Sequence, residues 1–404
     1  MSARPREQLL EIYSAALAAV HGRRRVRDAL TAHPLEGPVA LVAVGKAACA
    51  MARGAQEALG TAIVDALIVT KYGHGEPLPW PVIEAGHPLP DAMSLAAGEQ
   101  LAAFVTRLPL STTVLVLLSG GASALLERLP AGMTLDDLRR VNEWLLGSGL
   151  DIHAMNSVRK RLSCIKDGRL AQMLQPRPVA CLAISDVPGD DPRSIASGPL
   201  TSDPRAPNAA NLPSFLRQIL ARTPPLPPAN ADCFNDVHYT IVARNVDACA
   251  AVAAAAPPGW RVQMHAGFVQ GEAAEAGARL ARVLDDSGPG TFHVWGGETT
   301  VRLPPQPGRG GRCQQLALAA ARELDGRENV WLLAAATDGS DGPGEDAGAL
   351  VDGGTIARGE AEGFDANDAL ARADAGSFLE ASGDLIATGP TGTNVMDLVL
   401  GLRL

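Results

Sequence analysis

The stretch Val114-Leu115-Val116-Leu117-Leu118, running directly into Ser119-Gly120-Gly121-Ala122-Ser123, holds the key to the fold. Five apolar residues without polar alternation read as a strand buried on both faces, the mark of a parallel sheet covered by helices. The same junction recurs three times. Val39–Val44 runs into Gly45-Lys46, and Val179–Ile184 into Ser185-Asp186-Val187-Pro188-Gly189-Asp190-Asp191. Val330–Ala336 runs into Thr337-Asp338-Gly339-Ser340-Asp341-Gly342. Ligands of parallel sheets bind at the carboxyl ends of strands, where turns expose backbone N–H groups. Here those ends carry bare amides, one lysine and several carboxylates, an inventory that suits a phosphate and a metal ion.

Outward from this stretch, strands and helices alternate. An amphipathic helix over Glu7–Val20, with Leu9, Leu10, Tyr13, Ala16, Leu17 and Val20 on one face, precedes strand Val39–Val44. A helix over Ala47–Leu59, strand Val64–Thr70, a Pro/Gly-rich loop and a helix over Ser94–Leu108 lead to Val114–Leu118. Helices near Thr134–Leu146 and over Met155–Ile165 lead on to Val179–Ile184. This is a doubly wound α/β pattern with a mostly parallel sheet.

From Ser202 to Asp232, Pro, Asn and Ala dominate, which suggests a stiff linker or surface excursion. A second α/β series follows: strand Tyr239–Val242, helix Val246–Ala254, strand Val262–His265, helix Glu272–Asp285 and strand Phe292–Trp295. It closes with helix Cys313–Leu324, strand Val330–Ala336, strand Leu385–Ala387 and helix Val395–Leu402. Gly342–Gly376 reads as a long functional loop with short helical pieces. Two α/β domains are expected, a larger one over residues 1–235 and a smaller one over 236–404, with the C-terminal helix packing back on the first.

Composition narrows the functional classes. A chain of 404 residues buries a sizeable core. A net charge of −9 argues against nucleic-acid and anionic-membrane partners. The six cysteines are scattered without a CxxC, so neither a disulfide framework nor a zinc site is indicated. The N-terminal helix carries charges unlike those of a signal peptide, and no apolar stretch is long enough to span a bilayer, so a cytoplasmic protein is expected. Lysine occurs only at Lys46, Lys71, Lys160 and Lys166, the other cations being arginine. A lysine here stands out for its compact, titratable ammonium, although Lys71 and Lys166 also suit the surface.

Two familiar phosphate motifs are approached and missed. A GxxxxGK[ST] loop needs Gly at Ala40 and Ser or Thr at Ala47. A GxGxxG fingerprint fails at Cys313 in Gly308-Arg309-Gly310-Gly311-Arg312-Cys313, and this stretch follows prolines instead of opening a first βα turn. In their place stand Ser119, Gly120, Gly121 and Ser123, whose amides and hydroxyls form a candidate anion cradle; an ordinary βα turn with a Ser cap is the alternative. Asn156, Lys160 and Ser163 share one helix face, fit either to hold an anion or to meet solvent. Asp186, Asp190 and Asp191 crowd one strand end, which suits Mg²⁺ with its one or two carboxylates, and Asp191 before Pro192 also suits an Asx turn. Asp338 and Asp341 offer a second metal position or a general base. Arg312 opens a helix after three glycines, where the helix dipole disfavours a cation unless an anion is near.

Taken in order, these motifs resemble the class II glycerate 2-kinases, whose C-terminal part is called the MOFRL domain. The likeness rests on Val44-Gly45-Lys46-Ala47, Leu118–Ser123, Asn156-Ser157-Val158-Arg159-Lys160, Ile184–Pro192 with Ser197-Gly198-Pro199, and Gly296–Val301. It continues through Gly308–Arg312, Thr337–Gly342 and Thr388–Asn394, so it covers nearly the whole chain. The resemblance implies ATP- and Mg²⁺-dependent phosphorylation of the 2-hydroxyl of D-glycerate in a cleft between a larger Rossmann-like domain and a smaller α/β domain. Lys46 and Arg312 match the family's lysine and arginine implicated in catalysis, with Asp186 or Asp338 to orient or deprotonate the hydroxyl. Ser119, Gly120, Gly121, Ser123, Asn156, Lys160, Gly297, Glu298, Thr391 and Asn394 fall with the cofactor-binding residues, and Asp186, Asp190 and Asp341 with the metal. The chain departs from the family pattern at Cys313, Gln315, Met396 and Gly344-Glu345-Asp346.

The expected partner is a small sugar acid, with no nucleic acid or membrane, in a homodimer or monomer. Two other functions compete. A hydroxypyruvate reductase needs a dinucleotide site, for which the fingerprint is missing. A non-catalytic sugar-phosphate-binding protein gains nothing from clustered carboxylates unless a metal is present.

Overall fold

The computed structural model describes residues 3–148, 150, 152–203 and 212–404. It divides into two compact units, Gly22–Val242 and residues 3–21 with Ala243–Leu404. This differs from the expected 1–235 and 236–404. The first helix, α1 (Ala3–Ala19), belongs with the C-terminal unit, where Tyr13 Oη donates to the Ala336 carbonyl (2.8 Å) and Leu9, Ile12, Ala16 and Val20 are buried. None of the described helices is long and apolar enough to cross a membrane.

The Gly22–Val242 unit is a six-stranded, all-parallel sheet in the order β3-β2-β1-β4-β5-β6. The strands are β1 (Val39–Val44), β2 (Ile63–Lys71), β3 (Val82–Ala85), β4 (Thr113–Leu118), β5 (Val179–Ile184) and β6 (Val237–Ala243). Every residue of β1 is buried, as its unbroken apolar run requires of a strand covered on both faces. Its helices are α2 (Gly22–Ala32), α3 (Ala48–Leu59), α4 (Ala92–Arg107), α5 (Ala122–Leu125), α6 (Leu135–Gly147), α7 (Ile152–Arg161), α8 (Arg169–Leu174) and α9 (Ser214–Leu220). Asp91 and Ser94 close a capping box on α4, and Thr134 and Asp137 do so on α6. Val141, Leu145, Val158, Leu162, Leu212 and Leu216 form a satellite core between α6, α7 and α9.

Residues 3–21 with Ala243–Leu404 hold a mixed sheet in the order β11-β10-β9-β12-β8-β7. Its strands are β7 (Arg261–Met264), β8 (Thr291–Gly297), β9 (Val330–Ala336), β10 (Gly348–Asp352), β11 (Leu385–Ile386) and β12 (Asp397–Arg403). Strand β12 runs antiparallel to both β8 and β9, and β7 is parallel to β8. Helices α10 (Asn245–Ala255), α11 (Ala273–Asp285), α12 (Arg312–Glu323), α13 (Thr355–Ala361), α14 (Ala366–Ala371) and α15 (Ala375–Ala381) complete it.

Four expectations are corrected. Residues 395–402 do not form a helix that packs back on the first domain, because Asp397–Arg403 is a central strand of the second sheet. The strand expected to open the second series, β6, is instead the edge of the first sheet. The Gly342–Gly376 segment has the short helical pieces expected of it, α13 and α14, but it also holds strand β10, which a loop would not. Helix α7 ends at Arg161, so Ser163 lies beyond it. Of the Pro-rich excursion, residues 204–211 lie outside the described residues.

Candidate functional site

In the first sheet the chain leaves β1 for β2 on one side and returns to β4 on the other. The order of the strands reverses between β1 and β4, and at such a point two neighbouring turns part to leave a crevice at the carboxyl ends. Lys46 stands at the end of β1 and Ser119–Ser123 at the end of β4, with Val44 and Leu118 in register. The two turns are tied together. The Lys46 amide donates to the Gly120 carbonyl (2.9 Å), the Ala47 amide to Ser119 Oγ (3.1 Å) and Thr70 Oγ1 to the Gly45 carbonyl (3.0 Å). Ser119 is thus a buried brace between the turns.

Gly121 adopts a left-handed backbone, φ 83°, and a Cβ there would fall 2.9 Å from His87 Cδ2 and 3.4 Å from Lys46 Cγ. A bare glycine therefore spares the His87 ring a close contact and lets the Lys46 stem lie against it at ordinary contact distance. Beside it opens a cavity of about 340 Å³, whose lining includes His87, Gly121, Ser123, Glu127, Asn142, Asn156, Arg159 and Lys166. Ser123 Oγ meets Ser197 Oγ at 2.7 Å. Arg159 donates from Nε to Asn142 Oδ1 (3.0 Å) and from Nη1 to Asn156 Oδ1 (3.3 Å). Burial pulls its guanidinium below the usual arginine range.

Lys166 also reaches this wall. It is buried and donates to Glu127, so its reading as a surface residue is corrected. Lys160 is buried as well, with Nζ donating to Asp203 Oδ2 (2.9 Å) and the Arg193 carbonyl (2.8 Å). The helix face anticipated for anion binding therefore divides: Asn156 lines the cavity, and Lys160 braces the segment that follows β5.

Beyond β5, Asp191 accepts from the Arg193 amide at 3.0 Å, the Asx turn anticipated before Pro192, and both its oxygens accept from Arg193 Nε. Asp186 and Asp190 are half-buried, with Asp190 in a left-handed backbone at φ 54°. Among the described residues, no three His, Cys, Asp or Glu side chains gather into a metal-binding group.

A second constellation sits at one end of the mixed sheet. Asp397 at the start of β12 pairs in register with Gly297 of β8 and Ala336 of β9, so three loops meet there. Arg312, first residue of α12, donates from Nε to Asp397 Oδ2 (2.7 Å) and from Nη2 to Asp397 Oδ1 (2.8 Å), and lies 3.2 Å from Glu298. Burial opposes its charge, but the Asp397 fork outweighs burial and raises its pKa. The anion that a cation at this helix start requires is thus a carboxylate of the protein's own.

Asp341, fully buried, accepts from the Cys313 amide (3.0 Å) and the Gln314 amide (2.8 Å). Both oxygens cap α12, which leaves this carboxylate poorly suited to a metal. Burial and the neighbouring Asp397 push its pKa up to about 7, against the pull of those two amides. Asp338, also buried, accepts from the Ser340 amide at 3.0 Å. Thr391 Oγ1 donates to the Thr337 carbonyl, and Asn394 Oδ1 accepts from the Met396 amide (3.4 Å). These contacts hold a turn in which Met396 takes φ 68°. Gly297 is required by close packing, since a Cβ would fall 2.2 Å from the Val269 carbonyl oxygen. Gln315, one of the departures, is a structural residue whose Nε2 donates to the Leu370 carbonyl (2.8 Å).

Sequence reasoning missed Asp397, Arg159, Asn142, Glu127 and the place of Lys166. Asp397 was hidden by reading its segment as a helix. Arg159 lay in a quoted motif, and the scarcity of lysine was itself a signal for Lys166.

Residues 8–222 match the model of a family described as Domain of unknown function (DUF4147), and residues 291–397 match the MOFRL family. A D-glycerate 2-kinase of Thermotoga maritima is 38% identical over 414 residues, covering 97% of each chain. An Agrobacterium vitis protein named "Putative hydroxypyruvate reductase" is 39% identical, over 90% of this chain and 98% of its own. The crystal structure of a glycerate kinase from Thermotoga maritima superposes with a TM-score of 0.85 at 37% identity, over 98% of this chain and 99% of that one.

Proposed function

The chain belongs to the glycerate kinase family, with a DUF4147 N-terminal part and a MOFRL C-terminal part, and from that membership we propose that it transfers the terminal phosphoryl group of ATP to the 2-hydroxyl of D-glycerate. The products are 2-phosphoglycerate and ADP. The observation that carries this reading is the pair of joined turns at the reversal point of the first sheet, with the Lys46 stem lying over the bare Gly121. A backbone cradle with one lysine is what a phosphate group asks of a protein.

Phosphoryl transfer needs little covalent help; the protein positions the reactants and neutralises charge on the moving group. In this proposal the Lys46 ammonium meets phosphoryl oxygens while the amides around Gly120–Ser123 hold the chain of phosphates. Arg312 keeps donors beyond the Nε and Nη2 that grip Asp397, since its guanidinium carries five N–H groups. Asp338 or Asp186 orients the acceptor hydroxyl and takes its proton. Asp186 and Asp190 would hold Mg²⁺, which when bound offsets negative charge on the phosphates. Asp341, engaged by the start of α12, is left out of the metal set.

A reductase is the second reading, favoured by the name of the Agrobacterium relative and by a strand order shared with dinucleotide-binding folds. Against it, the first βα turn is Val44-Gly45-Lys46-Ala47, with Ala47 and Ala50 where the fingerprint calls for its second and third glycines. One pair of assays separates the two. ADP release with D-glycerate, ATP and Mg²⁺ is expected, with no fall in NADH absorbance on hydroxypyruvate without ATP. The reverse pattern would replace the kinase with the reductase.

A further inference from the structure

We infer that Arg159, set by Asn142 and Asn156, is the residue that grips the carboxylate of the acceptor acid and so determines its class. Arg159 can only donate, so the two amide oxygens that face it are fixed as acceptors. Each asparagine must then turn its NH₂ group away from Arg159. Glu127, the carboxylate on the same wall, has one oxygen taken by Lys166 Nζ and the other by the Arg128 amide (2.9 Å). Among the described residues lining the cavity, the one carboxylate, Glu127, therefore has both oxygens engaged.

Charge points the same way. Among the described residues no acid pairs with Arg159, in contrast to Arg312 and Arg358, which are each held by carboxylates. Its two partners are neutral, and burial lowers its pKa. A half-buried cation held by neutral oxygens is stabilised by an anion, and a carboxylate meets the in-plane N–H donors left on its two terminal nitrogens with a matched fork. The Gly121 cradle opens on the same cavity, which places a phosphate-binding turn and a carboxylate-binding fork along one open cavity of about 340 Å³. A 2-hydroxy acid carries its carboxylate on the carbon next to the hydroxyl, so the fork would also fix which hydroxyl is presented.

The identity of the acid rests on the kinase reading, whereas the anion site does not. Arg159→Gln, Arg159→Lys and Asn142→Ala are compared with wild type by KM for D-glycerate, KM for ATP and turnover of the uncharged amide of glyceric acid. Arg159→Gln should raise KM for D-glycerate at least about 30-fold, with KM for ATP changed less than threefold. Its preference for the acid over the amide should collapse. Arg159→Lys and Asn142→Ala should lie between Arg159→Gln and wild type, a graded series that loss of folding would not give. A rise confined to KM for ATP would assign Arg159 to the nucleotide phosphates and overturn the inference, as would an unchanged preference for the acid. If wild type turns over no D-glycerate with ATP, the kinase reading fails first. Titration calorimetry with D-glycerate and D-lactate then decides the anion site: binding lost in Arg159→Gln supports it, and equal heats in both proteins overturn it.

Discussion

Gly121 has no side chain, and the position of the His87 ring depends on that. Its left-handed φ, and the mere 2.9 Å that would separate an added Cβ from the His87 ring, set a double penalty on any substitution, of order 1–3 kcal/mol for the backbone alone. Gly121→Ala should lower kcat/KM about 10- to 100-fold while the melting temperature falls by only a few degrees; wild-type kinetics would show that the cradle tolerates a Cβ. The buried Glu127–Lys166 pair offers a different test. Lys166→Met leaves a carboxylate enclosed without its cation and should cost about 3–5 kcal/mol in denaturant unfolding. Adding Glu127→Gln should recover more than half of that loss, and additive losses would deny that the two charges are coupled.

At the scale of elements, α12 begins on a carboxylate that is partly protonated near neutrality. The folded Asp341 has its pKa raised to about 7, above the unfolded value, so the folded state binds more protons between the two. Its contribution is fully present below the ordinary carboxylate range and is lost as pH rises through about 7. Unfolding free energy should therefore decline from pH 5 to pH 8 by a few kcal/mol, and Asp341→Asn should flatten that slope. Parallel slopes for the two proteins would contradict the assignment. The same region shows where sequence reading stops. Asp397–Arg403 is a short apolar run, which periodicity alone cannot assign to helix or strand. Its Gly401 gives a hint, since glycine weakens a helix and here leaves space for the Trp295 ring, from which a Cβ at this position would lie only 3.0 Å away. The runs β1, β4, β5 and β9 are legible because each ends in a turn built from Gly, Ser or Asp. By contrast β3 and β10 pass among Pro and Gly residues that mimic loops.

At the scale of the whole molecule, the N-terminal helix is the segment least readable from its position in the chain. Its apolar face is evident from Leu9, Tyr13, Ala16 and Val20, but nothing in that periodicity says which sheet it covers. Arg6 meets Asp352 and Asp384, and Tyr13 meets Ala336, all in the C-terminal unit. A chain beginning at Gly22 should thus lose amide-exchange protection in β9 and β10 at least tenfold, and unchanged protection there would contradict the assignment of α1. The site divides in the same way: Gly/Ser/Asp turns announce chemistry locally, whereas Arg159 with Asn142, or Arg312 with Asp397, are partners that only folding brings together.

In the proposed reaction, the reversal point of the parallel sheet, with Lys46 over Gly121, transfers phosphate to the 2-hydroxyl of D-glycerate. The most direct measurement is product identification by ³¹P NMR for wild type and Lys46→Ala, each supplied with ATP, Mg²⁺ and D-glycerate. Wild type should yield 2-phosphoglycerate alone, and Lys46→Ala should yield it at least about 10²-fold more slowly, the scale on which loss of one stabilising donor acts. A 3-phosphoglycerate product, or an unimpaired Lys46→Ala, would contradict the account.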